Sequence, residues 1–191
     1  MKSEVKTIEH DYEFLKKKSE DVDFSKDDVN EIVGVLEDYC TNNLVFAMAA
    51  NQLGFLKRVM FIKHADEEVA NQEDITRNDR IIMINPVIKQ ATGSTLYWEA
   101  CVSCKNLAGL VNRAYQLTIA YYDEFGKMQE TVFEGLKATV FQHEYDHLDG
   151  ILHIEIAREV RELTVEERKV LREKEPYKIV SKEGPFERNV E

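Results

Sequence analysis

The chain has 191 residues, 43% of them apolar and 32% charged, with a formal net charge of -11 at neutral pH. That length suits one domain with a substantial core, and the acidic balance disfavours nucleic acid as a main partner. No apolar run approaches the roughly 18 residues of a membrane span, and Met1-Lys2-Ser3-Glu4-Val5-Lys6 leads into acids rather than an export signal, so a cytoplasmic protein is expected.

Three cysteines, Cys40, Cys101 and Cys104, are too few and odd in number for a disulfide framework, which agrees with a reducing compartment. The expected layout is a single domain over 1–191: an N-terminal arm over 1–24, a core over 25–156, and a charged C-terminal helix and tail over 157–191. The arm, with its run Lys16-Lys17-Lys18, reads as a solvated segment laid over the core.

Ser25 and Asp28 offer a helix start, and Val29, Ile32, Val33, Leu36 and Cys40 recur at helical spacing, which predicts a helix from about 26 to 42. Cys40 then belongs to the core. Leu44 to Gly54 is a buried apolar segment ended by a glycine turn, and Gln52 is out of place in it, because a buried amide needs partners or a task. Arg58 to Lys63 and Ile81 to Ile88 read as strands, the second interrupted at Asn85-Pro86. His64 to Arg80 between them is acidic and polar, hence an exposed loop or short helix, with His64 solvated.

Cys101-x-x-Cys104 suits neither a zinc ribbon, which needs a second cysteine pair, nor a thioredoxin-like site, which needs a parallel βαβ setting. Tyr115 to Tyr122, the turn Asp123-Glu124-Phe125-Gly126 and Lys127 to Glu134 form a hairpin. After Gly135, the residues Leu136, Thr139, Val140, His143, His147 and Leu148 share a helical face, with Gly150 as the C-terminal cap.

The helix carries His143-Glu144-x-x-His147. Histidines four apart stand about 40° round the axis and roughly 6 Å along it, so both reach one metal ion. Glu144, on a neighbouring face, can act on a metal-bound water without ligating. Cys101 as a single thiolate would complete a three-ligand catalytic site. Downstream, Thr164-Val165-Glu166-Glu167 is a capping box for a last helix to about Glu175, ended by Pro176. From Arg158 onward nine basic residues balance nine acidic ones, which makes the tail a mixed-charge solvated element rather than a basic docking arm.

Extended to Gly150 and His153, the helix motif matches the metzincin protease pattern, with His153 as third ligand. Metzincins need a methionine turn downstream, and all five methionines (Met1, Met48, Met60, Met83, Met128) lie upstream, so that reading fails. His153 is then an ordinary residue of the strand or loop after the helix.

Three ordered motifs instead resemble the peptide deformylase family over roughly residues 25–156. Gly-x-Gly-x-Ala-Ala-x-Gln is similar to Val45 to Gln52; Glu-Gly-Cys-Leu-Ser is similar to Glu99 to Ser103; Gln-His-Glu-x-Asp-His-Leu-x-Gly is matched in full by Gln142 to Gly150. Asn85-Pro86 and Arg113 also look like family positions. The resemblance implies an α+β fold with antiparallel strands around the motif helix. It implies one divalent metal, natively Fe2+ with Zn2+, Ni2+ or Co2+ possible in purified protein, held by Cys101, His143 and His147. The implied substrates are N-formylmethionyl peptides or nascent chains, met in transient proximity to the ribosome, with formate as product. Glu144 is the implied general base and acid, the Gln52 amide and the Val102 backbone N–H the implied oxyanion donors. Glu99 and Arg113 are expected to pair and fix the Cys101 loop.

The chain departs from the family where Val45, Ala47 and Ala100 replace glycines beside a groove that also includes Phe46. Each adds a Cβ where substrates lie as an extra strand. Cys104 stands where the family has an apolar residue, and oxidation would join it to Cys101. The alternative from another class is a metal-binding protein that sequesters formylated peptides with weak or altered turnover. Glu144 argues against it, since a structural metal site needs no base.

Overall fold

The protein is described here by a computed structural model covering residues 4–63 and 80–187. The exposed segment expected from His64 onward lies outside these residues as far as position 79.

One strand organises the sheet. β3 (Arg80–Ala100) follows α1 (Tyr12–Leu15), α2 (Val29–Asn42), β1 (Ala47–Ala49) and β2 (Val59–Lys63). It runs 21 residues and pairs antiparallel with four other strands. Its first half lies between β2 and β5 (Gln116–Tyr122); its second half lies between β4 (Leu107–Arg113) and β8 (Lys178–Pro185). β6 (Met128–Glu134) extends β5, β7 (Glu159–Glu162) extends β4, and β1 ends the sheet beyond β2. The expected interruption at Asn85-Pro86 is a bulge rather than a break. Asn85 adopts φ 49°, the register shifts between Ile84 and Val87, and its side chain bonds both backbone groups of Val22 at 2.8 and 3.0 Å.

Two helices flank this α+β sheet. α2 starts at Asp28, whose side chain accepts from the Glu31 N–H, and buries Val29, Ile32, Val33, Leu36 and Cys40 with Val59 and Phe61. α3 (Gly135–Leu148) packs Ala138, Phe141 and Leu148 with Met60, Ile62, Leu117 and Phe133. The single apolar face expected of α3 is not what the fold uses. Leu136 is exposed and Val140 half-buried, whereas Phe141, Gln142, Glu144 and Asp146 are buried, because the helix is enclosed on several sides. After it come α4 (His153–Ile156) and α5 (Val165–Lys174), the latter opened by the expected Thr164–Glu167 box. His153 therefore lies in a one-turn helix, neither strand nor loop. No helix among the described residues is long and apolar enough to cross a membrane.

The N-terminal arm is more than a solvated cover. Leu15 is fully buried beside Cys101, Cys104 and Leu152, and the Lys6 and Ile8 N–H groups donate to the carbonyls of Gln52 (2.7 Å) and Ser103 (2.9 Å). It also crosses Gly150, which has φ 72° and where an added Cβ would run into the Lys16 carbonyl oxygen. Gly150→Ala is expected to cost about 1–2 kcal/mol from the left-handed backbone alone, with further loss from displacing the arm. Urea unfolding reads this directly, and an unchanged midpoint would contradict the packing.

Candidate metal centre

The roll of α3 is set by Gln142. Its amide accepts from the Ala114 N–H (3.0 Å) and donates to the carbonyls of Ala114 (3.0 Å) and Ala138 (2.9 Å), clamping the helix to the end of β4. His143 and His147 then project together, ring centroids 5.0 Å apart. Cys101 arrives at the end of β3, held by the Ala100–Ala108 pairing with β4, and its Sγ lies 3.2 Å from His147 Nε2. One ligand atom from each of Cys101, His143 and His147 falls within 4.8 Å of the others.

A charged layer stands behind these residues. Glu99 Oε2 accepts from His143 Nδ1 at 2.8 Å, which leaves Nε2 of that ring for other use. Arg113, fully buried, donates from Nε and Nη2 to the two Glu99 oxygens at 2.8 and 2.9 Å, and from Nη1 to Asp146. Glu99 and Arg113 do pair, and the pair reaches His143 as well as the Cys101 strand. Burial opposes the charge on Glu99, but Arg113 and His143 hold its carboxyl well below the usual range. Asn51 Nδ2 donates to the His147 carbonyl at 2.6 Å, and Arg58 bonds Asp149 at 2.7 Å, fixing the end of α3. Gln142 and Asp146 are letters of the helix motif to which the sequence assigns no task, and Asn51 has none assigned either. Asp146 carried a usable signal, since an acid on a buried helix needs a buried cation and Arg113 was available.

Gln52 is buried in the 3₁₀ turn Ala50–Leu53. Its Oε1 accepts from the Ala49 N–H (3.0 Å), and its Nε2 donates to Cys101 Sγ (3.3 Å) and Ser103 Oγ (3.0 Å). Val102 follows Cys101 and opens the 3₁₀ turn Val102–Cys104, with its side chain exposed. Glu144 is buried, and its Oε2 has no partner among the described residues. Burial raises its carboxyl above the ordinary value, against the pull of His143 and His147. Of the groove residues, Val45 packs against the α2 cluster and Ala47 against the α3 cluster; Phe46 and Ala100 are half-buried. His153 is outside the donor group. Its ring lies 5.2 Å from that of His143, beside Gly109, where a Cβ would come within 3.1 Å of it. Burial and the neighbouring His143 push it down to about 4, so it is neutral.

The donor set suits a divalent transition metal, one soft sulphur with two imidazoles. The local electrostatics ask for a cation. The Cys104 thiol's hydrogen bond, against burial and with His147 and His143, keeps Cys101 well below its usual range. Burial pulls His143 down, yet Cys101 and Glu99 hold it well above its own range. The unpartnered Glu144 Oε2 adds a buried polar atom that no group among the described residues satisfies.

A sulphur, two imidazoles and an adjacent buried carboxylate, carried on an enclosed helix, make up the equipment of a mononuclear metal-dependent hydrolase. The polypeptide deformylase family matches residues 3–162, and the chain belongs to that family. The peptide deformylase of Christiangramia forsetii is 35% identical over 144 residues, 72% of this chain and 74% of that protein. That of Aquifex aeolicus is 34% identical over 143 residues, 75% of this chain and 81% of that protein. Among solved structures, the Plasmodium falciparum peptide deformylase aligns with TM-score 0.70 at 26% identity, covering 90% of this chain and 92% of that one. The Met-Ala-Ser-bound class I type b enzyme of Acinetobacter baumannii aligns with TM-score 0.68 at 27% identity, covering 80% and 96%.

Proposed function

We propose that this chain removes the formyl group from N-formylmethionyl peptides of newly made proteins, releasing formate, in a cytoplasmic setting. Cys101, His143 and His147 would hold one divalent metal, natively ferrous iron. The observation that carries the reading is the buried Glu144 with an open carboxylate oxygen beside the three donors. A site built only to hold a metal has no use for it.

When bound, the metal supplies Lewis acidity that polarises the formyl oxygen and acidifies the attacking water. Glu144 takes the proton from that water as its oxygen adds to the formyl carbon. The C–N bond then breaks, formate leaves, and Glu144 returns the proton to the departing amine nitrogen. Burial suits Glu144 to both tasks by bringing its pKa nearer the working pH. The Val102 N–H is a donor for the developing oxyanion. Gln52 reaches the same position by giving up its longer contact, the one to Cys101 Sγ at 3.3 Å, while Ser103 and the Ala49 N–H keep the amide in place. Glu99, braced by Arg113, keeps His143 in the tautomer that frees its Nε2.

β1 ends the sheet, so one of its edges lacks a strand partner among the described residues, which suits an added peptide strand. On this reading the Cβ atoms of Ala47 and Ala100 narrow the peptide's path. Ala47→Gly with Ala100→Gly is expected to raise kcat/KM severalfold while lowering stability by about 0.5–1 kcal/mol per glycine. Unchanged or lower kcat/KM would sink the crowding idea. The function itself is tested by formate release from formyl-Met-Ala-Ser by anaerobically purified protein. A metal-loaded protein that binds the peptide without turning it over would be a sequestering protein instead. The balanced charge from Arg158 onward gives no support for a basic arm that docks on the ribosome.

A further inference from the structure

Cys104 is outside the donor group, yet the turn that carries Cys101 closes on it. Cys101 leaves β3 in extended conformation, φ -136° and ψ 139°, and Cys104 ends the 3₁₀ turn Val102–Cys104 with its N–H on the Cys101 carbonyl at 3.0 Å. Such a turn brings its end Cα atoms within about 7 Å, and a disulfide spans about 4.4–6.8 Å. Cys101 and Cys104 pack in one buried cluster with Leu15 and Leu152, and both cysteines are free. Their surroundings differ. Cys104 is 0% exposed, whereas Cys101 retains 8% and faces Gln52 and His147. A small solute entering the site therefore meets Cys101 first.

We propose that Cys104 is a resolving thiol, which captures Cys101 after oxidation by a hydroperoxide and stores the site as a reversible Cys101–Cys104 disulfide. The Cys101 sulphur attacks one peroxide oxygen and the O–O bond breaks. This gives a sulfenic acid, and the departing oxygen takes up a proton and leaves as water (or as an alcohol, from an alkyl hydroperoxide). The Cys104 sulphur then attacks the Cys101 sulphur, forming the S–S bond, and the sulfenic oxygen leaves as water with the Cys104 proton. Two thiols lose two electrons and one peroxide gains them. Without Cys104 the sulfenic acid would proceed to the irreversible sulfinic acid. The disulfide also removes the thiolate from the donor set, so metal is released. Only this last consequence rests on the ligand role given to Cys101 above.

The test treats metal-loaded wild type, Cys104→Val and Cys104→Ser with hydrogen peroxide, then follows peptide masses and released metal. In the wild type the Cys101–Cys104 peptide is expected to lose two hydrogens as metal appears in solution, and dithiothreitol with added metal to restore both. The variants are expected to gain two or three oxygens on Cys101 and to regain less than about a tenth of their metal binding. Oxygens on Cys101 of the wild type with Cys104 still free would overturn the proposal, as would variants that recover like the wild type. If the variants fold poorly, the wild-type masses decide alone. A disulfide formed without metal loss would refute the ligand role of Cys101 and leave the resolving role standing.

Discussion

Glu144→Gln is expected to lower kcat by about a hundred- to ten-thousand-fold while leaving metal content and KM close to wild type. Glutamine keeps the volume and one acceptor oxygen but cannot carry a proton from water to the amine. Stability should not suffer, since the substitution removes an ionisable group that burial already disfavours. The pH profile adds a second signature. Burial raises the Glu144 carboxyl, so wild-type kcat should fall as pH drops through a value above the ordinary carboxylate range. In Glu144→Gln the residual rate should lack that limb. A variant with full metal and near-wild-type kcat would remove Glu144 from the mechanism.

Arg113→Met is expected to be the most damaging change away from the donors, costing about 3–5 kcal/mol of stability. Methionine roughly fills the volume, but the buried Glu99 and Asp146 lose their shared cation. The sign with pH is fixed by Glu99, whose folded pKa lies below its unfolded one. Its ionisation thus stabilises the wild type above the ordinary carboxylate range, and that contribution fades as pH falls toward the depressed folded value. The gap between wild type and Arg113→Met should accordingly be widest near neutrality and narrow in acid. Metal affinity should fall about 10- to 100-fold, because Glu99 no longer holds His143. Adding Glu99→Gln and Asp146→Asn should recover much of the stability but not the metal affinity. A loss below about 1 kcal/mol at neutral pH would mean the network is peripheral.

The parts of this protein readable from sequence are those whose local chemistry agrees with their final surroundings. α2 has one apolar stripe and an Asp28 cap, α5 opens on a Thr164–Glu167 box, and β5 and β6 flank a turn rich in turn-forming residues. β3 defeated pattern reading because its alternation breaks at the Asn85 bulge and again near Gly93, although the strand runs on to Ala100. β8 was illegible for the opposite reason: every residue in it is exposed, so nothing distinguishes its two faces. α3 misled because its burial comes from polar residues with buried partners, Gln142 and Asp146 among them, rather than from an apolar face. In the site, the His-Glu-x-x-His spacing pointed to Glu144 and both histidines, and the family resemblance pointed to Cys101, which the fold brings within reach of the two histidines. The support from Asn51, Gln142 and Asp146 depends on contacts between segments far apart in the chain, which no local pattern encodes.

The most direct test of the central claim measures metal and formate in the same samples of anaerobically purified wild type and Cys101→Ala. The wild type should hold about one equivalent of divalent metal and release formate from formyl-Met-Ala-Ser in proportion to it, and Cys101→Ala should lose both together. Formate release that persists in metal-stripped wild type, or a Cys101→Ala protein that keeps metal and turnover, would contradict the account.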